Sequence, residues 1–281
     1  MSHVEVGEIT HPGLLWKWAT DWRLGLTGLS NGLLQLMHPG LGAGVAEHSD
    51  FFSDPWNRIN RSIGPIIASI RDDDTAHAIK MMHKRITGVD AHGNKYHALD
   101  PEIFWWAHIT LYRAVELAAR RFSHFGLSDA ERESMYAEGV MWYHRYGVSD
   151  RSVPATRREY SEKFRDICVN TLEMTPAAER AVDMAVNGRV EGMLEQLPRW
   201  AADPIERSVT PIARITTLGG LPGVVREKFG IPWTVSDDLE YRSLIMASRN
   251  VSLVMPEPLR RNSMRKLAEI SKIPAAAEAP S

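Results

Sequence analysis

The chain holds one cysteine, Cys168, in 281 residues. That excludes an intrachain disulfide framework and any Cys-x-x-Cys metal site. Charge of either sign is not in excess: 33 Lys and Arg against 35 Asp and Glu leave a formal −2. A general nucleic-acid-binding surface, which needs a strong basic surplus, is therefore excluded. Runs of alternating β-branched residues bounded by hairpin turns are few, so an all-β fold is excluded. No HExxH, P-loop or G-x-S-x-G occurs, and "GLGAGV" (40–45) follows no strand. Zincin, nucleotide-dependent and serine-hydrolase chemistries are thereby set aside. Paired Glu-x-x-His motifs for a di-iron bundle are missing too, since the one match, Glu8 to His11, lies in a Gly- and Pro-flanked stretch. "MSHVEVGEITHPG" carries neither a basic n-region nor an apolar h-region, so no secretory signal is read. With the lone thiol, this points to a cytoplasmic protein.

The longest stretch without a charge is "LGLTGLSNGLLQLMHPGLGAGVA" (24–46). It could reach across a bilayer, yet it contains Gly25, Gly28, Gly32, Gly40, Gly42, Gly44, Pro39, Asn31, Gln35 and His38, a mixture that inserts poorly. It reads as a buried small-residue segment that lets helices, or a helix and a flat ligand, approach closely. No transmembrane span is expected; peripheral membrane contact stays open.

What the chain has in abundance is helical periodicity. The pattern predicts helices over 13–37 (interrupted near its glycines), 39–47, 54–70, 73–87, 101–123, 128–146, 156–172, 175–186, 188–197, 204–218, 221–229, 236–249 and 256–270. Asp100-Pro101 sets an N-cap before a first-turn proline, and Ser128-x-x-Glu131 is a capping box. "GVDAHGNKYHALDP" (88–101) is a turn-rich connection with room for a short hairpin, and the low-complexity tail 274–281 is expected to be disordered. The economical reading is a single all-α domain over 1–273, a multi-helix bundle with a buried pocket between central helices.

Four stretches combine polar groups with an apolar setting. "LLQLMHPGLGAGVAEHSDFFSDPW" ends in Glu47-His48-Ser49, which also reads as a plain helix end with Ser49 or Asp54 capping the next helix. "DPWNRINRSIGP" places Arg58, Arg61 and Ser62 at i, i+3, i+4. That is either a solvated basic face or a pair of fixed cations toward an anionic cofactor group or oxygen intermediate. "KMMHKRITG" sets His83 in an apolar stripe with Ile79, Met82 and Ile86, where a satisfied structural imidazole is the ordinary alternative to a ligand. "PEIFWWAHITLYRAVELAARRF" is apolar nearly all round and carries His108 deep inside, with Thr110 and Tyr112 as possible partners. Two inward histidines, a glycine-rich dry segment and an arginine pair suggest a pocket for a large flat cofactor such as haem, which needs one axial imidazole and apolar walls.

The order of these stretches resembles the rubber oxygenase (latex-clearing protein) and MpaB oxygenase family. The pieces are "LLQLMHPGLGAGVAEHSDF", "DPWNRINRS", "MMHKRITGVDAHGNKYHALDPEIFWWAHITLYRA" and "LSDAERESMYAEGVMWYHRYGV", over roughly residues 30 to 150. The resemblance implies an all-α oxygenase that binds haem b (iron) through one histidine and uses dioxygen on a hydrophobic substrate. It puts the axial ligand on His83, with His108 as the rival. The family's R-x-x-K-T face maps onto Arg58, Arg61 and Ser62, and its proposed base onto Glu47. Arg58 and Ser62 would polarise the oxygen being activated, and Glu47 would take an allylic proton. Arg61 stands where a lysine can cap the iron; arginine keeps its proton and cannot ligate it. The substrate is thus expected to be an isoprenoid or lipid-like small molecule rather than extracellular polymer. A non-catalytic binder of haem or of a hydrophobic ligand, and a haem-free oxygenase of the family, are the alternatives.

Overall fold

The computed structural model describes residues 7–187 and 198–273. The helix predicted over 188–197 and the tail 274–281 lie outside the described residues. Among those described, the chain forms α1 (Leu14–Ala19), α2 (Gly25–Leu36), α3 (Pro39–His48), α4 (Pro55–Ala68) and α5 (Asp73–His83). A hairpin of β1 (Thr87–Val89) and β2 (Lys95–His97) follows, pairing antiparallel with Gly88 opposite Tyr96. The second half is α6 (Pro101–Phe122), α7 (Asp129–Arg145), α8 (Arg157–Asp166), α9 (Pro176–Val186), α10 (Arg199–Gly220), α11 (Gly223–Lys228), α12 (Val235–Val254) and α13 (Glu257–Ile270). The all-α expectation holds, and so does the hairpin in the 88–101 connection. No helix among the described residues is long and apolar enough to cross a membrane.

Local chemistry sets most boundaries. Asp100 accepts from the Glu102 amide ahead of Pro101, and both halves of the Ser128/Glu131 capping box form. Asp54, not Ser49, caps α4 by accepting from the Asn57 amide. Several boundaries differ from the periodicity. The helix predicted over 13–37 breaks at Thr20-Asp21 rather than at its glycines. There Asp21 caps a 3₁₀ turn and holds Arg23 in a buried pair at 2.7 Å, while Arg23 Nη1 donates to the Phe122 carbonyl at the end of α6. Helix α5 stops at His83 rather than at 87, and Thr87 opens β1 instead of closing the helix. Helix α10 starts at Arg199 and runs through Pro204 and Pro211, each of which removes one amide donor without ending it.

Helix α6 is the axis of the core, with Trp105, Trp106, Tyr112 and Ala118 almost fully buried. Helix α2 lies antiparallel against it. Thr27 Oγ1 donates to the Ala114 carbonyl, Arg113 Nη1 to Asn31 Oδ1, and Gln35 Nε2 to the Ala107 carbonyl. Trp106 Nε1 donates to the Leu34 carbonyl at 3.1 Å. The stripe Thr27, Asn31, Gln35 recurs every fourth residue, which is why a segment with no charge is still polar along one line. On α7, a Cβ at Gly139 would lie 2.6 Å from the Tyr112 ring, so only glycine lets α7 close onto α6.

Candidate functional site

An apolar cavity of about 300 Å³ opens between α2, α4, α6, α9, α10 and α13, at the lower end of the size range of small-molecule sites. Three glycines stand in its α2 wall beside Leu29, Leu33 and Leu36. Gly25, Gly28 and Gly32 line it, and a Cβ built on any of them meets nothing within 4 Å. The small-residue face is thus turned to empty space rather than to another helix. Leu111 and Val115 of α6 and Ile63 and Ile66 of α4 complete the apolar wall.

The polar members of the lining are few. Asn31 and Gln35 are already engaged with α6. Arg214 of α10 donates to Asp237 Oδ1 at 2.7 Å, which holds that carboxyl down at about 2. Arg58 and Ser62 come from α4. Arg58 Nε donates to Ser49 Oγ at 2.6 Å, and Ser62 Oγ donates to the Arg58 carbonyl at 2.8 Å. Burial, and then the neighbouring Arg61 cation, lower the Arg58 pKa.

The expected residues separate into those at the cavity and those away from it. Arg58 and Ser62 are brought together on its wall. Arg61 is not: four residues advance a helix by about 40° and three by about −60°. The Arg61 guanidinium accordingly points outward to Asp50 at 2.8 Å, both side chains more than 60% exposed. Glu47 is absent from the lining; its carboxylate accepts from Tyr96 Oη at 2.6 Å, over Gly88 of the hairpin. Burial and this contact raise the Tyr96 pKa, so the phenol stays the donor.

Neither histidine faces the cavity. His83 ends α5 with its ring half-buried and edge-on to Phe104, and Nδ1 donates to the Ile79 carbonyl at 2.7 Å. The stripe it was read from is only partly inward, since Met82 is 58% exposed. His108 is buried as expected, but its partner is neither Thr110 nor Tyr112. Nε2 donates to the Gly139 carbonyl at 3.0 Å, and the rings of Trp142, Tyr143 and Tyr146 stand at 4.6, 5.2 and 5.9 Å. Burial pushes its pKa down to about 3, so the ring is neutral. Its Nδ1 lone pair has no partner among the described residues.

A haem with an axial imidazole does not fit the cavity as its walls stand. Among the described residues, the lining includes no histidine, cysteine or tyrosine, and Met184 and Met264 are the sulfur donors. Among the described residues, no three His, Cys, Asp or Glu side chains converge as a metal site. Sequence reasoning missed the residues that α9, α10 and α13 contribute, Met184, Arg214, Thr217 and Met264. No local pattern marks them. The Gly25, Gly28, Gly32 spacing could have marked the open face of α2.

Comparison with curated proteins and with solved structures found no match. The family described as ER-bound oxygenase mpaB/B'/Rubber oxygenase, catalytic domain, matches residues 16–250. That range takes in α1 to most of α12 and so every wall of the cavity except Met264, well beyond the stretch over which motifs were legible. The chain therefore belongs to the MpaB/rubber oxygenase catalytic-domain family, and is an oxygenase by that membership.

Proposed function

We propose that this oxygenase oxidises a hydrophobic small molecule, isoprenoid or lipid-like, held in the cavity between α2 and α4. The observation that carries the reading is the lining: apolar side chains and three glycines, with Arg58 and Ser62 on one wall. Such a cavity excludes water from the reacting carbons while placing a permanent cation beside them. The Glu47 carboxylate, engaged with Tyr96 and off the cavity wall, is not assigned the base.

Haem is the cofactor the resemblance implies, and between the two histidines the local chemistry favours His83 as its ligand. The Ile79 carbonyl fixes the Nδ1–H tautomer, leaving Nε2 as the free donor atom that a metal requires. The aromatic rings around His108 leave no space for a macrocycle. Oxygen uptake with farnesol tests the function: uptake that depends on farnesol is expected. Tight farnesol binding without uptake would replace the oxygenase reading with a binding protein. Absorption spectra after haem addition test the cofactor. No Soret band is expected while the described lining holds no axial imidazole; a band lost in His83→Ala and kept in His108→Ala would instead put haem on His83, outside the cavity.

A further inference from the structure

We propose that the ligand of this cavity is an amphiphile with a single carboxylate, seated on the Arg58 guanidinium with its hydrocarbon part against Gly28 and Gly32. The inference rests on the cavity being the substrate site and adds the headgroup. Among the described residues, the cavity wall carries two charged groups, and both are arginines. Arg214 is answered by Asp237. Arg58 is not answered: its Nε meets only a serine hydroxyl, and its terminal nitrogens have no protein partner among the described residues. The neighbouring Arg61 pairs with Asp50, on the outer side of the helix. A partly buried cation without a counter-charge is costly, and a bound anion removes that cost. The count of one unanswered arginine favours a monoanion over a dianionic phosphate. The planar fork of donors matches a carboxylate in two parallel hydrogen bonds.

Calorimetric titration of the intact protein with decanoate and with decan-1-ol tests this, since the two probes differ only in the headgroup. Decanoate is expected to bind about tenfold or more tightly than decanol, as a hydrogen bond to a charged partner implies. Arg58→Gln should remove that preference while leaving decanol affinity in place, which also shows that the variant is folded. Arg58→Lys should keep part of it. Equal affinity of wild type for both probes overturns the headgroup inference alone; binding of neither overturns the cavity as the substrate site. Haem added beforehand separates the two possible carboxylates. Loss of the decanoate preference with decanol binding retained would make Arg58 an anchor for a haem propionate and overturn the free-acid reading.

Discussion

Helices α2 and α6 lie side by side and tie themselves together through the same hydrogen bonds, yet their other faces meet opposite surroundings. Leu111 and Val115 of α6 reach the cavity, but around the His108 side of α6 every direction is filled. His108 sits among three aromatic rings, Tyr112 stands edge-on to Tyr136 and Tyr160, and α7 closes in over Gly139. Along α2 the glycines leave room that no neighbour takes. An imidazole in the filled region is a packing element held neutral by burial. A guanidinium facing the open region is a group still looking for its partner. Burial alone does not separate the two cases; the space beyond the side chain does.

The comparison breaks most visibly at His108. His108→Ala should cost about 3 kcal/mol in equilibrium urea unfolding, the scale of deleting a buried ring, and leave decanol binding unchanged below the transition. The folded ring titrates at about 3 against ~6.5 in an unfolded chain. The unfolded state thus takes up the proton first. The contribution of His108 is fully present above ~6.5 and is lost as the pH falls toward 3. Wild type should lose stability more steeply than His108→Ala across that window. A variant that stays stable but no longer binds decanol would mean the filled region is part of the site.

Gly28→Leu sharpens the other half. Nothing lies within 4 Å of a Cβ there, and leucine is the better helix former, so stability should rise by up to ~1 kcal/mol in the same unfolding experiment. The side chain would occupy the cavity, and decanol binding should disappear. A variant that unfolds, or one that binds as before, would show that this face is not open in solution. The smallest effect belongs to Arg61→Gln. Its pair with Asp50 is exposed on both sides, and the loss should be under ~1 kcal/mol. Neither decanoate nor decanol affinity should move. A change comparable to that of Arg58→Gln would put Arg61 back at the cavity.

Much of the fold was legible because its signals are short-range. The cap at Asp100, the box at Ser128 and Glu131, the turn-rich hairpin and the apolar girdle of α6 all act over a few residues. The site was legible only in part. Arg58, Arg61 and Ser62 share a spacing that reads as one face, but the angular difference between three and four residues divides them. The apolar stripe of α5 predicts His83 and Met82 as inward, whereas His83 is half-buried and Met82 exposed, since the chain leaves the helix at that end for β1. The break between α1 and α2 follows from a carboxylate and a guanidinium two residues apart, paired in the interior beside the end of α6.

By itself, the sequence determined where helices start and stop over most of the chain, which family it belongs to, and that residues 24–46 have no use for charge. Those follow from hydrogen bonds and periodicities that close within one or two turns. Only the tertiary structure decided that the glycines of α2 face a cavity, that His108 is walled in, and that Arg58 lacks a counter-charge where Arg214 has one. Each of these depends on which side chains from α7, α9, α10 and α13 fill the adjoining volume, and chain-distant packing leaves no mark on a local pattern.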